Sequence, residues 1–158
     1  MFPKFKATIC ALLVALSLAA CGEPEMTPEE AAVRALDFES IAQQTIRSVT
    51  NPENYPLVED VSITLEENTI RITAAVSDLM KKSDALDCAD TLVRQLNLYA
   101  SIADSTIKAA SKDYYGGLYD VYDLAIAPLS QVNNPANWYI YDFVSSGMHT
   151  KQPIELKD

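Results

Sequence analysis

The sequence contains few side chains whose type and spacing could support catalysis or metal binding. His149 is the only histidine. It has two interpretations, a general base or metal ligand on the one hand and an incidental loop residue on the other. Cys88 has no basic residue within one helical turn to lower the pKa of its thiol, which favours a packed, inert cysteine over a redox thiol. Asp84, Asp87 and Asp90 lie along one helix face but lack the loop glycine and bidentate glutamate of an EF-hand, so a solvated face is expected. The sequence therefore predicts no catalytic residue, no metal site and no cofactor.

Aromatic side chains are concentrated in the C-terminal part of the chain and are the main candidates for binding. Strict alternation along residues 138–144 would place Trp138 on one face of a strand, and Tyr139, Tyr141 and Phe143 on the other. Aromatic residues on both faces indicate either an aromatic-rich core with cross-strand pairs or an exposed surface for a glycan, peptide or protein. The candidate ligand-binding residues are Tyr119, Trp138, Tyr139 and Tyr141.

The elements that would position these side chains form one α+β domain over residues 28–158. Thr27-Pro28-Glu29-Glu30 is a capping box at the start of a helix that the apolar spacing extends to residue 49. The alternating runs 57–65 and 69–76 predict a hairpin, and a long second helix is expected from Ser83 to residue 103. Further elements are expected at residues 106–112 (helix), 119–127 and 138–144 (strands) and 150–156 (edge strand). The predicted fold is a small antiparallel sheet, made of the hairpin plus two or three C-terminal strands, with two helices packed on one face.

The N-terminus has the organisation of a secretory signal. Lys4 and Lys6 precede an uncharged, mostly apolar run over residues 7–18, which is too short to remain as a transmembrane helix. The run ends in Leu18-Ala19-Ala20-Cys21, which resembles the lipobox of bacterial lipoproteins. The resemblance implies that residues 1–20 are removed and that the Cys21 thiol carries a diacylglyceryl group. A plain signal peptide with an accidental cysteine is the alternative.

The lipobox resemblance implies a membrane partner and a location. Two acyl chains give stable anchoring, so Cys21 would hold the domain at a membrane of the cell envelope. Gly22 follows the cysteine, at the position where an aspartate would resemble an inner-membrane retention signal. The absence of that aspartate favours the outer membrane in a source with two membranes. In a source with one membrane, the expected location is the outer face of the cell membrane. Residues 21–27 comprise the lipidated Cys21 and a short tether, and the six residues 22–27 reach about 20 Å when extended.

Charge and cysteine content limit the functional classes. The full chain has a formal charge of −10, and removal of residues 1–20 leaves 10 basic and 22 acidic residues, or −12. Such a chain lacks the basic footprint that nucleic acid or an anionic membrane surface requires. Cys10 would leave with the signal and Cys21 would carry lipid, so Cys88 has no partner for an intrachain disulfide.

Two non-enzymatic functions are compatible with these features. The first is an accessory module that binds a protein, peptide or glycan through an aromatic sheet surface. The second follows from a resemblance: residues 61–65, 70–76 and the helix after them are similar to the periplasmic BON domain, in which a hairpin precedes an amphipathic helix. That resemblance implies a lipid-associated envelope domain. An enzyme without a recognisable motif is a third possibility, and we expect a non-enzyme.

Overall fold

A four-stranded mixed sheet with helices on one face forms the core of the chain. The computed structural model describes residues 25–148 and 154–156. The strands are hydrogen-bonded in the order β1-β2-β3-β4. In chain order the elements are α1 (Pro28–Ala35), α2 (Phe38–Val49), β1 (Val58–Glu66), β2 (Thr69–Val76), α3 (Lys82–Ala103), α4 (Leu118–Val121), β3 (Asp123–Gln131) and β4 (Trp138–Val144). The predicted α+β class, with helices packed against a sheet, is confirmed.

The N-terminal helical segment consists of two helices, where one continuous helix was expected. The Thr27 hydroxyl caps α1 by accepting from the Glu30 amide at 3.1 Å, as the capping box predicts. The chain turns extended at Leu36, and the Asp37 carboxylate then caps α2 by accepting from the Ser40 amide at 3.1 Å. The second cap interrupts the helix because an aspartate side chain competes for the backbone amides that a continuous helix would use.

The sheet is mixed, which differs from the wholly antiparallel sheet expected. β1 and β2 form the predicted hairpin, with Glu66 opposite Thr69 and with Glu67 at a φ of 55° in the turn. β2 and β3, however, pair in parallel. The 22-residue α3 lies between them and carries the chain back along the sheet, so that Asp123 begins β3 beside Thr69, the first residue of β2. Parallel neighbours need a crossover of this kind.

The connection between α3 and β3 is built around two glycines. Gly116 has a φ of +116°, and a Cβ atom there would overlap the Asn97 side chain. Asn97 is fully buried; its amide nitrogen donates to the Lys108 carbonyl at 3.0 Å, and its oxygen accepts from the Leu118 amide at 3.1 Å. A Cβ at Gly117 would likewise overlap the Glu29 carboxylate. The glycines therefore let two side chains fill the space beside the backbone.

Two sequence predictions fail in this connection. Residues 106–112 are not helical, because their backbone carbonyls accept hydrogen bonds from side chains of α3 and not from backbone amides of the same segment. The Asn97 side chain donates to the Lys108 carbonyl, and the Arg94 side chain donates to the carbonyls of Ser111 and Lys112. The strand expected over 119–127 is replaced at its start by α4. At the C-terminus, residues 154–156 are not a strand, and residues 150–153 of the expected edge strand lie outside the described residues.

Candidate functional site

The face of the sheet opposite the helices, here called the open face, carries mostly small and polar side chains. Residues that are register partners lie on the same face of a sheet. Ile72, in the middle of β2, is fully buried on the helix side, whereas its neighbour Arg71 has 42% of its side chain exposed. One open-face row crosses all four strands and contains Thr64, Arg71, Ala125 and Phe143. The row thus ends in an aromatic residue at the β4 edge.

Trp138, Tyr141 and Phe143 form an aromatic patch along β4 on the open face. Tyr141 is 65% exposed and Phe143 is 53% exposed. The ring centroids of Trp138 and Tyr141 are 5.6 Å apart, with an angle of 56° between the ring planes. Single exposed apolar residues are ordinary, but adjacent exposed aromatic rings are a feature of recognition surfaces. Because the two rings are tilted, they do not form a flat platform for a sugar ring.

A β-bulge explains why Trp138 joins Tyr141 on one face. Trp138 and Ile140 are two residues apart on β4, but their register partners on β3 are consecutive residues. The ladder therefore skips at Tyr139, and the alternation of faces reverses there. The expectation that Trp138 and Tyr141 lie on opposite faces is wrong because it assumed a regular ladder.

Tyr139, one of the predicted binding residues, supports the patch from behind. Its ring is partly buried and packs against the core. Its hydroxyl donates to the Met80 carbonyl at 2.8 Å and accepts from the Gln131 side-chain amide at 2.8 Å. These bonds connect the bulge to the loop before α3 and to the end of β3. Tyr139 is therefore placed to hold Trp138 in position and is not part of the exposed patch.

Tyr119, another predicted binding residue, belongs to the core. It lies in α4 and is 1% exposed, and its hydroxyl donates to the Val93 carbonyl at 2.9 Å. Its ring meets that of Tyr115 edge-on, with centroids 6.3 Å apart. Burial raises the pKa of the Tyr119 hydroxyl. Tyr119 is therefore part of the core and not of an exposed surface, and the strand expected to contain it begins only after α4.

The other residues singled out in the sequence are not brought together. Cys21 and His149 lie outside the described residues. Cys88 is half-buried on α3, and burial raises the pKa of its thiol to about 11. Asp90 forms an ion pair with Arg94 at 2.6 Å. Within residues 25–148 and 154–156, no three His, Cys, Asp or Glu side chains form a group that could hold a metal ion.

Comparisons with known proteins add no relative. No protein family, no curated protein and no solved structure matches this sequence. In the part of the chain that the structure describes, none of the helices is long and apolar enough to cross a membrane. The candidate site therefore depends on the geometry of β4. Phe143 was not among the predicted binding residues, although strict alternation already places it on the same face as Tyr141. Only the bulge, which the sequence pattern does not show, adds Trp138 to these two rings.

Proposed function

We propose that this chain is an envelope lipoprotein, anchored through Cys21, whose domain is a non-catalytic module that binds a protein partner through the aromatic patch. The observation that carries the proposal is the exposure of Tyr141 and Phe143 beside Trp138 on a sheet face that the described helices leave uncovered. Rigid aromatic side chains gain contact area at a small entropic cost, which makes them frequent anchors of protein interfaces.

The composition of the open face supports a protein partner over a glycan. Ala125 on β3 is the register partner of Phe143, and Thr73 and Thr64 lie farther from the aromatic rings, on β2 and β1 of the same face. These short side chains allow another surface to approach the sheet closely. Arg71 lies in the same face and forms an ion pair with Glu66 at 3.6 Å. Aromatic rings are enriched in protein interfaces, and polar side chains are common around them.

Site-specific photocrosslinking in the source organism tests the proposal. A benzophenone amino acid replaces Tyr141 in one variant and replaces Gln43, an exposed residue on α2, in the matched control. We expect a discrete protein adduct from position 141 and none from position 43. Adding Phe143→Ala should weaken the adduct about thirtyfold or more if this ring is a hot spot. Equal adducts from both positions, or no protein adduct from position 141, would contradict the proposal.

The anchor has its own test, because its failure would leave the binding surface unaffected. A Cys21→Ser variant should lose incorporation of labelled palmitate and should move from the membrane fraction to the soluble fraction. The matched control is Cys88→Ser, which removes the other cysteine of the processed chain and should keep both properties. Membrane retention of Cys21→Ser without lipid labelling would show that another feature holds the chain at the membrane.

A further inference from the structure

An apolar cavity lies at the N-terminal end of α3, on the helix side of the sheet. Its volume is about 250 Å³. The loop before β1, the end of α2 and the first half of α3 border it, and one side is open to solvent. Its apolar walls are formed by Val49, Tyr55, Leu57, Met80, Cys88 and Leu92. Since an apolar cavity of about 150 Å³ accommodates benzene, this one has room for a chain of roughly eight carbons.

The polar groups in the cavity walls do not carry charge into its interior. Cys88 contributes a thiol whose pKa is raised to about 11 by burial, so the side chain is neutral at physiological pH. The Tyr55 hydroxyl accepts from the Gln95 side-chain amide at 3.5 Å. Hydrocarbon therefore meets a neutral surface throughout the interior, and its transfer from water is favourable.

The mouth of the cavity is negatively charged. Asp84, Asp87, Cys88 and Thr91 lie at positions i, i+3, i+4 and i+7 of α3 and so share one face of the helix. The two carboxylates are exposed, and no lysine or arginine lines the cavity. Among the residues that the structure describes, neither Asp84 nor Asp87 forms an ion pair. A positive group at the mouth would thus meet two unneutralised carboxylates.

From this combination we infer that the cavity binds a small cationic amphiphile, with an alkyl chain of up to roughly eight carbons inside and an ammonium group at Asp84 and Asp87. The formal charge of −12 after removal of residues 1–20 favours such a ligand over an anionic one of the same length. The site is separate from the aromatic patch, so the inference goes beyond the proposed function.

Calorimetric titration with alkylammonium ions tests the inference. The protein is the chain from residue 21 with Cys21→Ser, which retains every described residue and carries no lipid that could compete. Affinity should rise about fourfold per methylene from butylammonium to octylammonium and then level off, because each buried methylene contributes a similar free energy until the cavity is full. Octanoate should bind more weakly than octylammonium. Absence of octylammonium binding, or equal affinity for octanoate, would overturn the inference.

Variants locate the binding site. Asp84→Asn combined with Asp87→Asn should lower octylammonium affinity roughly two- to fivefold per carboxylate and leave octanol affinity unchanged. Glu39→Gln removes one negative charge from α2 outside the cavity and serves as the control, with a smaller loss of affinity expected per charge removed. Equal losses per charge removed would assign the preference to net charge and contradict a site at the mouth.

Protection of the Cys88 thiol gives a second measurement without a core substitution. In the Cys21→Ser chain Cys88 is the only cysteine, and its thiol lines the cavity. Saturating octylammonium should slow the reaction of this thiol with 4,4′-dithiodipyridine at least tenfold, while butylammonium at the same concentration should have little effect. An unchanged rate at a saturating concentration would place the ligand elsewhere and overturn the inference.

Discussion

Substitution of Gly116 by alanine tests the packing of the connection between α3 and β3. Its φ of +116° lies outside the range that residues with a Cβ atom adopt without strain, which costs roughly 1–3 kcal/mol. In addition, the new Cβ would overlap the buried Asn97 side chain, and overpacking of this kind adds about 1–3 kcal/mol. The expected loss in the free energy of unfolding is therefore about 2–6 kcal/mol. Urea denaturation monitored by tryptophan fluorescence measures it.

Gly147 offers a matched control for the same substitution. It also has a positive φ, +70°, but a Cβ there would meet no atom of the described residues within 4 Å. Gly147→Ala should therefore show only the backbone cost, about 1–2 kcal/mol. Combining Gly116→Ala with Asn97→Ala removes the overlap, so the two losses should not add. If Gly116→Ala costs no more than Gly147→Ala, or if the double variant is additive, the argument from overlap is refuted.

Three further perturbations follow from individual contacts. Alkylation of Cys88 by iodoacetamide should accelerate with pH around a midpoint near 11, since burial disfavours the thiolate; a midpoint below 9.5 would contradict this. Arg94→Lys should lower the unfolding free energy by about 1–3 kcal/mol in urea denaturation, because an ammonium lacks the planar fork that binds the carbonyls of residues 111–114; an unchanged value would refute it. The side chains of Asp60 and Asp142, on the two edge strands, each accept a hydrogen bond from the backbone amide of the next residue, which keeps that amide from pairing with another chain. Changing both residues to alanine should therefore increase self-association, measured by light scattering. An unchanged size distribution would argue against this protection of the sheet edges.

Local sequence signals were sufficient for most elements of the fold. The capping box at Thr27, the two alternating runs of the hairpin and the apolar stripe of α3 each depend on residues close in sequence, and all three are present. The parallel pairing of β2 with β3 depends instead on where α3 returns the chain. Strand periodicity is the same for either direction of pairing, so only tertiary packing of the crossover determines it.

The non-helical segment after α3 illustrates a second limit. Residues 106–112 have acceptable helical spacing, but the side chains of Asn97 and Arg94 donate hydrogen bonds to backbone carbonyls of this segment. These two donors belong to α3 and lie 11 and 17 residues before their acceptors in the sequence. Propensity within the segment contains no information about them. Tertiary hydrogen bonds that satisfy the carbonyls remove the advantage of a helix there.

The candidate site shows why the aromatic residues could be recognised as unusual but not assigned to faces. Pro128 lies within β3, which is a central strand of the sheet. Proline has no amide hydrogen to donate, so a central strand tolerates it only at an irregularity of the hydrogen-bond ladder. The β2–β3 register does skip between Ile72 and Ala74, opposite this proline. A proline inside a predicted central strand is therefore a usable sign of a bulge. No comparable residue marks the second bulge at Tyr139, which is stabilised by its hydroxyl bonds to Met80 and Gln131. Alternation along β4 therefore predicts that Tyr141 and Phe143 share a face, but because the partners of Tyr139 lie in other elements, the position of Trp138 beside them follows only from the tertiary structure.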